Sequence, residues 1–143
     1  MKSAVDTNVI VSLLGDELQG ALTAEGILEQ AHAAGVLVIC GAVYAELLAH
    51  PRMTPAILTQ FLAETGIEPE FDTGRGIWHE AGVRYARYAT RRRKTKAGSA
   101  RRLLADFVIG AHALLQADRL ITFDTSGFRR DFPELHLAPR KLQ

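Results

Sequence analysis

"VDTNVIVSLLGD", residues 5–16, sets a carboxylate, a hydroxyl and an amide behind the first apolar residues and then runs into aliphatic side chains. Asp6, Thr7 and Asn8 are all good N-cap types, so the triplet can simply start a helix over "NVIVSLL". The preceding "SAVDT" reads as a short buried strand, and that puts Asp6 at a strand's exit. In open α/β sheets this is the edge where ligands bind. The triplet alone leaves cap and functional carboxylate both open, and the remaining residues must separate them.

Outward from this stretch the chain alternates. "ALTAEGILEQAHAAG" carries apolar residues at helical spacing and ends at Gly35, while "VLVIC" is a continuous aliphatic run of strand length. "AVYAELLAH" reads as a helix stopped by Pro51. "TPAILTQFLAETG" has Thr54 as N-cap, Pro55 as first helical residue and Gly66 as terminator. "IEPEFD" is a brief edge strand, since Pro69 has no N–H to donate. "GIWHEAGVRYARYATRRRK" is helical, "KAGSA" is a loop whose Ser99 caps the next element, and "ARRLLADFVIGAHALLQA" is an amphipathic helix. "DRLITFD" and "FPELHLA" supply the last strands. Strands separated by helices predict a three-layer α/β/α domain with a mostly parallel sheet of about four to five strands, occupying residues 1–143 as one unit.

The bulk numbers agree with one soluble domain. The 143 residues are 48% hydrophobic and 23% charged, and no apolar run approaches the roughly 20 residues of a bilayer span. "MKSAVDTN" meets Asp6 too early for a signal-peptide core, and the lone Cys40 sits in an apolar strand, so a reducing cytoplasm fits and no internal disulfide can form. The net charge of +1 hides an asymmetry. Between Ala81 and Ala105 there are nine basic residues and no acid. Like charges repel, so this stretch predicts an anionic partner.

Four acids interrupt places that otherwise read as apolar. Asp6 and Asp124 end strands, and in a parallel sheet both leave at one edge. Glu46 lies about a turn into the helix after "VLVIC". Asp106 shares a helical face with Ile109, Gly110 and Ala113, a small apolar face that should pack closely on the sheet. An acid there is costly unless it is paired or binds metal. Each has an ordinary alternative: a cap for Asp6, a surface acid for Glu46, a turn for Asp124. Together they suggest one site, in which repelling carboxylates share a divalent cation, and all-oxygen donors favour Mg²⁺ or Mn²⁺ over Zn²⁺. His32, His50, His79, His112 and His136 show no zinc spacing, and no Gly-rich phosphate loop is present.

The ordered pieces "VDTNVIVSLL", Glu46 in "VYAELL", "ADFVIGAHAL" around Asp106 and "LITFD" ending in Asp124 resemble the PIN-domain nuclease family along essentially the whole chain. The length and the ending "FDTSGFRRDFPELHL" resemble its VapC-type toxins from prokaryotic toxin–antitoxin pairs. The resemblance implies metal-dependent cleavage of RNA, a homodimer and a small cognate antitoxin. It carries over Asp6, Glu46, Asp106 and Asp124 as the acidic metal site, with Asn8 and Thr122 orienting them. Ser126 and Gly127 stand where several relatives have a further acid, which leaves one ion or two. Arg91, Arg92, Arg93, Lys94, Lys96, Arg101 and Arg102 become the RNA-binding surface, with Tyr85 and Tyr88 available to stack bases, although their helical spacing favours core packing for at least one of them. Apolar surface for dimer or antitoxin contacts is expected around "TPAILTQFLAETG". A housekeeping RNA-processing nuclease of the same family and a non-catalytic binding domain are the alternatives. A phosphatase using an aspartyl nucleophile would want a second Asp where Asn8 stands, and a receiver domain would want an acidic pair beside its first strand.

Overall fold

Ala4 and Val5, Leu37 through Cys40, and Leu120 with Ile121 are all buried at consecutive positions. Neighbouring side chains on a strand point to opposite faces, so helices must cover the sheet on both sides. The computed structural model describes residues 1–95 and 101–139 and shows this three-layer arrangement. The strands are β1 (Lys2–Val5), β2 (Val36–Cys40), β3 (Glu68–Glu70), β4 (Arg119–Ile121) and β5 (Leu137–Ala138). They pair in parallel throughout, in the order β3-β2-β1-β4-β5. The described helices are α1 (Thr7–Leu14), α2 (Leu18–Ala34), α3 (Gly41–Leu48), α4 (Pro55–Thr65), α5 (Gly74–Lys94), α6 (Leu104–Gln116) and α7 (Thr125–Asp131).

Chain punctuation follows the side chains. Thr54 caps α4 by accepting from Ile57 N–H at 3.2 Å, worth about 1 kcal/mol. Gly66 ends α4 in the left-handed conformation, φ 71°, with its N–H on Leu62 O at 3.0 Å. Helix α6 starts at Leu104, later than the apolar pattern suggested, and Ser99 lies outside the described residues.

The order of strands reverses direction beside β1. From β1 the chain builds outward to β2 and β3, then crosses back to lay down β4 on the other side of β1 and β5 beyond it. The C-terminal ends of β1 and β4 therefore open a crevice at a topological switch point. Asp6 follows β1 directly, its N–H bonded to Ile121 O at 2.9 Å, and Asp124 follows β4 by three residues.

Candidate active site

Asp6 lies at the exit of β1 and caps α1, so it holds both positions that the opening triplet left open. As N-cap of α1 its Oδ1 accepts from Thr7 N–H at 2.8 Å, while Oδ2 accepts from Thr122 Oγ1 at 2.7 Å. The side chain is nearly sealed from water. Burial, with the negative charges of Asp106 and Glu46 added, pushes its pKa up to about 6, although both hydrogen bonds pull the other way.

Thr122 is fully buried and acts as a junction: its oxygen also accepts from Asp124 N–H at 3.0 Å and from Asn8 Nδ2 at 3.5 Å. Asn8 returns its Oδ1 to Phe123 N–H at 3.2 Å. These two residues tie α1 to the exit of β4. Thr7 stood in the opening triplet only as a cap candidate, yet its hydroxyl donates to Glu46 Oε1 at 2.7 Å and fixes that carboxylate over α1.

Asp106 sits in the first turn of α6, where Oδ2 accepts from Leu103 N–H at 2.9 Å. Its face is buried as expected, and Gly110 makes room for the Phe132 ring: a Cβ there would lie 2.4 Å from that ring. Asp124 caps α7 through Gly127 N–H at 3.4 Å, and its Oδ2 accepts from Arg102 Nη1 at 2.6 Å. Asp106 and Asp124 line one pocket of about 300 Å³ together with Ser126, Arg101, Arg102 and Arg130.

The four acids thus divide. Asp6, Glu46 and Asp106 share one electrostatic field, whereas Asp124 is joined to them through Thr122 and carries a guanidinium of its own. Among the described residues no three His, Cys, Asp or Glu side chains are gathered tightly enough to hold a metal ion as they stand. The donor chemistry nevertheless suits one. All are hard oxygen donors, and an oxygen-seeking divalent cation would relieve the repulsion that raises Asp6.

The basic stretch is corrected in part. Arg102 is not a surface residue: it is 7% exposed, its backbone N–H donates to Tyr88 Oη at 2.8 Å, and its guanidinium lies 4.8 Å over the Phe128 ring. It pairs with Asp124 and, through Nε at 3.1 Å, with buried Asp131. Arg91 also pairs with Asp131, and buried Arg84 with Glu80 and Glu134, so acids beyond the stretch already neutralise much of it. Arg93, Lys94 and Arg101 are exposed, Arg92 is half-buried, and Lys96 lies outside the described residues. Tyr88 is core and Tyr85 half-buried, and both line a second pocket with Arg92, Arg93 and Arg101. His112, left aside in the sequence, is buried with Nε2 2.9 Å from Glu70 Oε1; Cys40 is buried, which raises its thiol pKa.

A family model described as the PIN domain matches residues 4–132. A comparison with curated proteins finds no match. Among solved structures, VapBC2 from Rickettsia felis bound to a promoter DNA fragment is similar at TM-score 0.65 and 20% identity, over 96% of this chain and 97% of that one. VapBC-1 from nontypeable Haemophilus influenzae gives 0.62 and 21%, covering 96% of each chain. FitAcB from Neisseria gonorrhoeae gives 0.54 and 20%, covering 94% and 95%.

Proposed function

The chain belongs to the PIN-domain family, and from that premise we propose that it is a metal-dependent endoribonuclease, the toxin of a toxin–antitoxin pair. The observation that carries the reading is Asp6, buried among carboxylates and held near pKa 6 at a sheet's switch point. Repelling acids at such an edge are costly to the fold and useful to a cation. Asp6, Glu46 and Asp106 would hold Mg²⁺ or Mn²⁺, and Asp124, the fourth member of the set, shares a pocket with Asp106. The bound ion would supply Lewis acidity for phosphodiester hydrolysis, lowering the pKa of water and offsetting charge on the phosphate.

The chain's own part is orientation. Thr122 and Thr7 N–H hold the two oxygens of Asp6, Thr7 Oγ1 aims Glu46, and Asn8 locks the β4 exit that carries Thr122. Arg93, Lys94 and Arg101, with Arg91 and Arg92 beside them, would track the phosphate backbone and make binding salt-dependent without reading bases. Likeness to VapBC structures along 96% of the chain supports an antitoxin partner, and a homodimer is carried by the family resemblance alone. The same fold also serves a housekeeping RNA-processing nuclease, and that reading would gain if no partner protein neutralised the chain.

Single-stranded RNA incubated with the purified protein and Mg²⁺ or Mn²⁺ should be cut, and Asp6→Asn and Asp106→Asn should abolish cutting with unchanged circular dichroism. Full activity in purified Asp6→Asn sinks the assignment. Co-expression with a small protein encoded beside it should relieve growth arrest.

A further inference from the structure

We propose that Arg102 is a built-in cation which takes Asp124 out of the metal's ligand set, so that the site binds one divalent ion per chain. The inference rests on the nuclease reading above and goes further by fixing the metal count and giving Arg102 a role.

Four contacts hold the guanidinium in place. Nη1 donates to Asp124 Oδ2 at 2.6 Å, Nε lies 3.1 Å from Asp131 Oδ2, and the planar group faces the rings of Phe128 at 4.8 Å and Phe107 at 5.8 Å. Tyr88 Oη fixes its backbone by accepting the Arg102 N–H. Room for it exists because residue 127 is glycine: a Cβ there would fall 1.7 Å from Nη1. Asp131 has its side chain almost wholly buried, so pulling Arg102 away would strip a sealed carboxylate of one of its cations.

A metal ion seated on Asp124 Oδ2 would have to displace this guanidinium or lie against it, and like charges at that range oppose each other, although the 44% exposure of the Asp124 side chain lets solvent screen part of the repulsion. Among the described residues Asp6, Glu46 and Asp106 have no comparable cation: Asp6 is met by a hydroxyl and an amide, Glu46 by a hydroxyl, Asp106 by an amide. The negative charge available to an incoming ion is therefore on those three. Arg102 supplies the balancing positive charge on the Asp124 side, and Asp124 acts as the anchor that keeps Arg102 at the rim of the pocket it lines with Asp106 and Ser126.

Mn²⁺ titration of the intact chain by calorimetry, checked by electron paramagnetic resonance of free Mn²⁺, tests this without any RNA. The wild type should take one ion. Asp106→Asn should weaken binding at least about tenfold, whereas Asp124→Asn should leave it within about threefold. Arg102→Met, which frees Asp124, should admit a second, weaker ion; should that variant fail to fold, the Asp124→Asn comparison decides alone. Two ions on the wild type, or loss of Mn²⁺ in Asp124→Asn equal to that in Asp106→Asn, overturns the inference and leaves the nuclease reading standing. No Mn²⁺ binding at all overturns the nuclease reading itself.

Discussion

Asp6 and Asp131 are buried to nearly the same degree, 6% and 7% exposed, but their surroundings are opposites. Around Asp131 the chain supplies cations: Arg91 and Arg102 pair with its carboxylate, and Arg130 approaches to 3.9 Å. Around Asp6 it supplies further acids, Glu46 and Asp106, and among the described residues only a hydroxyl and an amide as donors. The first carboxylate has its charge balanced within the folded chain, although its Oδ2 makes no hydrogen bond. The second has no balancing cation among the described residues, which is the arrangement the proposed divalent ion would complete.

The largest break in this comparison should come from Asp131→Ala. Removing it leaves buried Arg102 with Asp124 as its sole carboxylate partner, and breaking a buried pair typically costs about 3–5 kcal/mol. Denaturant unfolding measures the loss directly. A cost below about 1 kcal/mol would show that Asp131 is not the electrostatic anchor of this region.

Asp6→Asn should move stability the other way in metal-free protein. The folded pKa near 6 exceeds the ordinary 3.8, so the fold holds the proton more tightly than the unfolded chain does. Stability is greatest below pH 3.8 as far as this group is concerned, and is lost as pH rises through 6. Above that pH the charged carboxylate costs the wild type about 2–3 kcal/mol, which Asn removes. Melting curves at pH 7.5 in a chelator should rank Asp6→Asn above wild type, and Mg²⁺ should narrow or reverse the gap. A variant less stable than wild type in chelator would mean that the two hydrogen bonds outweigh the repulsion.

How far these two environments could be read from sequence differs for physical reasons. The strand and helix order was legible because aliphatic runs and Thr54, Pro55 and Gly66 act locally, within a few residues. Asp6 was legible because a polar triplet after a short strand has few uses. Arg102 was not: its burial depends on Asp131, Gly127 and Phe128, more than 20 residues away, and a run of cations looks solvated from any single window. One sign was present all the same. Arg84 and Tyr88 continue the spacing of Ile77 and Ala81 along α5, so the buried face of that helix passes through the basic stretch. Thr7 and Asp131 carried no comparable mark.

His112 sharpens the contrast with Asp6 over the same pH range. Burial lowers its pKa, and Glu70 Oε1 at 2.9 Å only partly offsets that. The neutral ring is favoured in the fold, so this contribution is full above the unfolded value of 6.5 and declines as pH falls through the lowered folded one. Acidification should therefore weaken the molecule through His112 while strengthening it through Asp6. A pH titration of stability in His112→Gln should lose the acid-side decline and keep the Asp6 gain. Parallel curves for the variant and the wild type would remove His112 from the account.

The smallest effect concerns cations that face water. Among the described residues Arg93 meets nothing stronger than Thr90 Oγ1 at 3.4 Å, whereas Arg91 is engaged by Asp131. An arginine already neutralised inside the chain has less charge to offer a phosphate, since its counterion is the carboxylate and not salt. Removing Arg93 should lower the slope of log affinity for single-stranded RNA against log salt by about 1, while Arg91→Ala should lower it by less. Binding measured from low to physiological salt separates the two, with the catalytically silent Asp106→Asn background preventing cleavage. Equal slopes for Arg93→Ala and wild type would place the RNA track elsewhere, and a larger change for Arg91→Ala would mean that RNA draws Arg91 away from Asp131.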